Sequence, residues 1–184
     1  MPRLTPYQAG RKTYPSLPDH LRAQWEAIVP SITQRLEYRP CSATLKTGVV
    51  VPCMYIMDAQ TYIDSWGVWP EDDPGKQHVR IEDITSISDS PFRLPVSLAN
   101  ELYGAGESGM GYSAFTLVFA DGVELHFVGG GALDFISLPK GRGMADIVRV
   151  VPNSGRGQTQ FATPKYHWCL FGSGEGRGGI WRFA

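Results

Sequence analysis

His126 stands two residues after Glu124, and on one strand that spacing puts both side chains on the same face. A carboxylate beside an imidazole is able to hold a general base or half a metal site. The plain alternative is an ordinary exposed His-Glu pair. Glu107, His126, Asp134 and His167 form the candidate catalytic set, provided the fold brings them into one cleft. No two of the four histidines (His20, His78, His126, His167) stand at metal-ligand spacing, and Cys41, Cys53 and Cys169 are far apart and form no CxxC. The sequence therefore offers no metal centre and calls for no cofactor.

A second kind of chemistry is recognition. Trp66 and Trp69 run into Glu71, Asp72 and Asp73, and indole faces beside carboxylates attract cations such as the Arg or Lys of a partner. Together with Tyr112, at the end of the glycine-rich stretch 104–112, these residues form the candidate binding surface for a protein or peptide. Two core tryptophans followed by a solvated turn would give the same pattern.

Other motifs carry less. Residues 104–109 match GxGxxG, but a dinucleotide fingerprint follows a strand and opens a helix, whereas this stretch follows a helix and opens a strand. The match at 174–179 has no helix behind it. Ser108 lacks the glycine two residues on that a nucleophile elbow needs, since Met110 stands there, so a turn hydroxyl is the better reading. Arg142-Gly143, Arg156-Gly157 and Arg177-Gly178 hint at RNA-binding segments but lack interleaved aromatics. The formal net charge of −1 also argues against a dedicated nucleic-acid binder. That charge is uneven. Residues 1–40 carry six basic against three acidic side chains, and residues 140–184 carry seven against two, which leaves an acidic middle. Basic ends folding over an acidic core account for this, and the terminal segments also offer a route to a homo-oligomer.

The elements that must position these residues are organised around 115–127, FTLVFADGVELHF. A three-residue loop with a left-handed Gly122 pairs Phe119 with Val123 and puts Phe115, Leu117, Phe119, Val123, Leu125 and Phe127 on one face. Thr116, Val118, Glu124 and His126 take the other. Upstream, Ser16 looks like the cap of a helix carrying Leu17, Leu21, Trp25 and Ile28. The run 49–57 is apolar on both faces and should be a central strand, with Pro52 at a bulge or edge. Residues 58–69 read as an aromatic stretch. Pro95 starts a short helix ended by Gly104. Residues 132–138 and 166–171 read as short strands, and 147–151 is a short apolar run that fits a strand or a helix.

These elements predict an α+β fold: a mostly antiparallel, curled sheet or partly open SH3-like barrel, with an N-terminal helix and one inserted short helix. A flatter sheet with helices on one face is the second architecture. The expected organisation is an extended arm at 1–15, a single domain at 16–171 and a glycine-rich tail at 172–184. No apolar run is long enough for a membrane span, and the start lacks a secretory signal. Three cysteines in no disulfide-like pattern point to the cytoplasm. The favoured function is a non-catalytic protein- or peptide-binding module using the aromatic-acidic loop. A small enzyme on the polar hairpin face and nucleic-acid binding through the basic termini are the alternatives.

Overall fold

The computed structural model describes residues 12–33 and 36–173. The glycine match at 174–179, the aromatic end (Ile180, Trp181, Phe183), Arg177 and the first part of the arm lie outside the described residues. The chain is α+β. Its helices are α1 (Asp19–Ala27), α2 (Ala59–Trp66) and α3 (Val96–Ala105). Its strands are β1 (Ser31–Ile32), β2 (Glu37–Tyr38), β3 (Pro40–Leu45), β4 (Val50–Asp58), β5 (Gln77–His78), β6 (Ile84–Ser88), β7 (Ser113–Phe119), β8 (Glu124–Gly129), β9 (Ile147–Pro152), β10 (Phe161–Ala162) and β11 (His167–Phe171).

The strands divide into a five-stranded sheet of order β5-β11-β4-β3-β6, a four-stranded sheet of order β10-β8-β7-β9, and the β1-β2 pair. None of these sheets closes into a barrel. The pairing is also mixed. β11 runs parallel to both β4 and β5, and β10 runs parallel to β8. Short connections favour antiparallel neighbours, but β11 returns from more than a hundred residues downstream of β4, ample chain for a parallel crossover.

β4 and β11 are buried on both faces, which explains why they read as continuous apolar runs. Cys53, Tyr55, Met57, Trp168 and Leu170 enter one core with Phe115, Leu117, Phe119 and Phe127 of the four-stranded sheet. Met54, Ile56, Cys169 and Phe171 enter a second core with Leu21 of α1. Pro52 sits where the β3-β4 register shifts, between the pairs Cys41–Met54 and Ala43–Val51, so the proline falls in a bulge.

The hairpin takes the expected register. Leu117 pairs with Leu125 and Phe115 with Phe127, the Phe119 N–H donates to Val123 O at 2.9 Å, and Gly122 has φ +82°. Only glycine holds that conformation without strain.

Four local expectations change. Ser16 caps no helix; it bridges Gly172 in parallel, and α1 begins at Asp19 behind Pro18. Residues 59–66 form α2, capped by Asp58, whose side chain accepts from the Thr61 N–H at 2.9 Å. Residues 132–138 form no strand, only the isolated bridge between Phe135 and Arg93. α3 runs past Gly104 to Ala105 and stops at Gly106. No helix among the described residues is long and apolar enough to cross a membrane.

Candidate functional site

The outer edge of β11 is flanked by two segments that both peel away from it. On one side β5 pairs at Gln77 and His78, the Val79 N–H donates to Trp168 O at 2.9 Å, and the chain then turns into a 3-10 helix at Ile81–Asp83. On the other side the arm reaches β11 at Gly172, whose N–H donates to Pro15 O at 2.8 Å. Between these flanks opens a groove of about 500 Å³, lined among others by Tyr14, Glu71, His78, Arg80, Trp168 and Leu170. That volume is ordinary for a ligand pocket.

The wall of the groove includes part of the aromatic-acidic loop. Lys12 Nζ donates to Asp72 Oδ1 at 2.8 Å and lies 3.7 Å from Glu71. Tyr14 Oη donates to Glu71 at 3.0–3.1 Å, and its ring packs at 5.3 Å on Trp69. Burial, then the hydrogen bond and charge of Glu71, raise the Tyr14 phenol well above its ordinary value, so it stays a donor. Arg80 pairs with Glu82 at 3.1 Å. Most charges around the groove are thus matched within the wall itself.

Of the predicted binding residues, Glu71 and Asp72 are exposed and held by the arm, and Trp69 is only 5% exposed. Trp66, in the last turn of α2, is half-buried against Trp168 at 5.4 Å and Tyr62 at 6.2 Å. Asp73 lies 3.6 Å from Lys76. Lys76 Nζ also donates to Tyr62 Oη at 2.8 Å and sits 4.3 Å above the Trp66 ring. Burial lowers the Lys76 ammonium, and Asp73 opposes the shift. So a cation does sit on the indole face, but it comes from this chain. Tyr112 is exposed in another loop, with Arg156 5.9 Å from its ring centre. A second cavity of about 310 Å³, bordered by Lys76, Lys165, Tyr166 and Trp168, lies at the other end of the β5-β11 pair. Trp168 is fully buried, borders both cavities, and its Nε1 has no hydrogen-bond partner among the described residues.

The candidate catalytic residues occupy four different settings. Asp134 is fully buried and accepts from Ser31 Oγ, from Tyr55 Oη at 3.0 Å and from Tyr103 Oη at 2.5 Å. Burial raises its carboxyl, against the pull of those three hydrogen bonds and the Arg93 charge. Glu107 is exposed and accepts from the Gly111 N–H at 3.0 Å. His167, on β11, has its imidazole pushed below the ordinary value by burial and then by nearby His78. Among the described residues no hydrogen bond or ion pair joins any two of Glu107, His126, Asp134 and His167. No group of three or more His, Cys, Asp or Glu among the described residues is placed to hold a metal ion.

His126 has company that its sequence neighbours did not announce. Its Nδ1 lies 2.8 Å from Thr116 Oγ1, that oxygen lies 2.6 Å from Ser154 Oγ, and Ser154 Oγ donates to Val151 O at 2.7 Å. Three contacts need three protons, and Val151 O supplies none. The chain is satisfied only when Nδ1–H donates to Thr116, Thr116 to Ser154, and Ser154 to the carbonyl. The neutral imidazole therefore carries its proton on Nδ1 and its lone pair on Nε2. Thr116 lies directly across the β7-β8 ladder from His126, but Ser154 arrives from a distant loop. Glu124 makes no hydrogen bond to His126.

The two arginine-glycine pairs among the described residues are engaged internally. Arg142 donates to Asp121 at 2.7 Å and lies 4.8 Å from the Phe119 ring, and Arg156 donates to Ser108 O. Ser108 Oγ accepts from the Ala114 N–H at 2.8 Å and lies 2.6 Å from Asn153 Oδ1, as a turn hydroxyl does. Compared with known proteins, the chain matches no family model, no curated protein and no solved structure.

Proposed function

We propose that this chain is a non-catalytic, cytoplasmic binding module that takes a segment of a protein or peptide partner into the groove beside β11. The observation that carries this reading is the groove's construction. It is about 500 Å³, walled by the aromatic-acidic loop on one side and residues 78–82 on the other, with its arm wall tied down by the Lys12–Asp72 and Tyr14–Glu71 hydrogen bonds. A wall fastened before binding loses less freedom on association. The three cysteines are free thiols, in keeping with a reducing compartment. Catalysis is disfavoured because the candidate acid and base groups stand apart.

The test is selection of a phage-displayed random heptapeptide library on the whole chain, with enriched peptides then measured against Thr13→Trp. Thr13 is exposed and lines the groove, so the indole fills the space with little effect on the core. Enriched peptides should lose at least about tenfold in affinity, roughly 1.4 kcal/mol. Equal binding to both proteins, or no enrichment on the wild type, overturns the reading.

A further inference from the structure

The floor of the groove has a feature that fixes what kind of ligand it takes. In a strand, successive residues turn their main-chain N–H and C=O to opposite edges. Trp168 faces the β5 side, since its carbonyl accepts from the Val79 N–H. Gly172 faces the arm, since its N–H donates to Pro15 O. By the same alternation Cys169 and Phe171 face β4, and Leu170 faces the groove, with its N–H and C=O both on the open side. Leu170 lines the groove although its side chain is buried in the core and the residue is 3% exposed. Among the described residues no main-chain group pairs with that N–H or C=O.

Main-chain groups left unpaired at a buried strand are costly, and nearly all such groups in folded proteins find partners. The two flanking bonds are four residues apart along β11, about 13 Å at roughly 3.3 Å per residue. That is too short for a strand to run alongside. It suits one extended residue crossing the edge. An antiparallel hydrogen-bonded pair meets this demand, because the two residues exchange both bonds with each other.

Resting on the reading of the groove as the binding site, we infer that Leu170 is a one-residue docking point for an extended, uncharged peptide segment, held by a reciprocal pair of main-chain hydrogen bonds. Charge does not select the ligand, because Lys12 and Arg80 are already matched by Asp72, Glu71 and Glu82. Main-chain hydrogen bonds supply the affinity, and side chains on either side of the docked residue reach the apolar and aromatic walls.

The probe is the blocked tripeptide Ac-Ala-Val-Ala-NHMe, titrated into the whole isotope-labelled chain and followed by 1H–15N NMR. The Leu170 amide signal should move saturably downfield, and the Trp168 indole N–H signal should move with it. The analogue N-methylated at the central residue should bind at least about tenfold more weakly. The inference is overturned if the Leu170 signal moves no more than that of an exposed control amide, or if both peptides act alike. It is also overturned if the Leu170 amide of the free chain already exchanges with solvent as slowly as β4 amides, because another part of the chain would then fill the notch. Selected heptapeptides that are lost on Thr13→Trp yet leave Leu170 unmoved would sink this inference and keep the binding groove.

Discussion

Tyr103 Oη donates to Asp134 Oδ2 at 2.5 Å while accepting from the Leu133 N–H at 2.8 Å. Tyr55 does the same one step away, accepting from the Asp134 N–H at 3.3 Å and donating to the same carboxylate oxygen. Each phenol has one proton, and the backbone donor fixes where it points. Ser31 Oγ, which also accepts from Arg93 at 3.3 Å, completes the ring. This buried network ties β1, β4, α3 and the segment after β8 to one carboxylate.

Removing the acceptor should therefore cost more than removing one donor. Tyr103→Phe leaves the Leu133 N–H unpaired and should cost about 1–3 kcal/mol. Asp134→Ala leaves three buried hydroxyls without an acceptor and removes one of the carboxylate charges, with Asp89, that favour the Arg93 cation, and should cost about 3–5 kcal/mol. Denaturant unfolding of both variants measures the difference; equal costs would show that the carboxylate is not the hub.

His126 should show a fixed tautomer. In 15N NMR above its titration range, Nδ1 should carry the proton and Nε2 the lone pair. Thr116→Val removes the acceptor of the Nδ1 proton and should let both tautomers appear. A wild-type spectrum with the proton on Nε2 would break the hydroxyl chain as drawn.

His167 gives a pH dependence with a definite sign. Its folded-state value lies below the ordinary 6.5, through burial first and His78 second. The folded chain thus binds fewer protons than the unfolded one. The stability contribution is complete above about pH 6.5 and is lost as the pH falls through the folded-state value. His167→Gln should flatten the fall in stability between pH 7 and pH 5, measured by thermal unfolding. An unchanged slope assigns the dependence to other groups.

Gly155 should tolerate alanine less well than Gly122, although both have positive φ. At Gly122 an added Cβ meets open space, so only backbone strain of about 1–2 kcal/mol applies. At Gly155 the Cβ would stand 2.6 Å from His126 Nδ1. Gly155→Ala should therefore cost clearly more and should also shift the His126 ring signals. Equal destabilisation would mean the 155 loop gives way freely.

Short-range rules made the hairpin legible. Alternating apolar residues around Asp121-Gly122 allow one register with a clean core face, and β4 announced its double burial by having no polar face. What escaped was set by distance along the chain. Nothing near residue 134 signals that Tyr55, Tyr103 and Ser31 will surround its carboxylate, so Asp134 looked as available as any other acid. α2 was missed because Tyr62 and Trp66 read as loop aromatics, although Asp58 three residues before Thr61 and Gly67 at the far end mark both its boundaries. The aromatic-acidic loop was visible as a surface. Its pairing with Lys12 and Tyr14 was not, because the arm carries no pattern that says where it lies. The notch at Leu170 depends on where two flanking segments leave a strand, which no local periodicity encodes.

β4 lies between β3, which precedes it directly, and β11, which is made far later. On the ribosome its second edge stays bare while the whole of 59–166 is synthesised, on the order of 5–20 s at ordinary elongation rates. For that interval Met54, Tyr55, Ile56 and Met57 present an apolar strand with one row of unmatched amides, the kind of template that recruits other nascent chains. Slowed translation across 59–166 should therefore lower soluble yield, and holdase chaperones should raise it, with no change in the stability of the molecules that reach the native state.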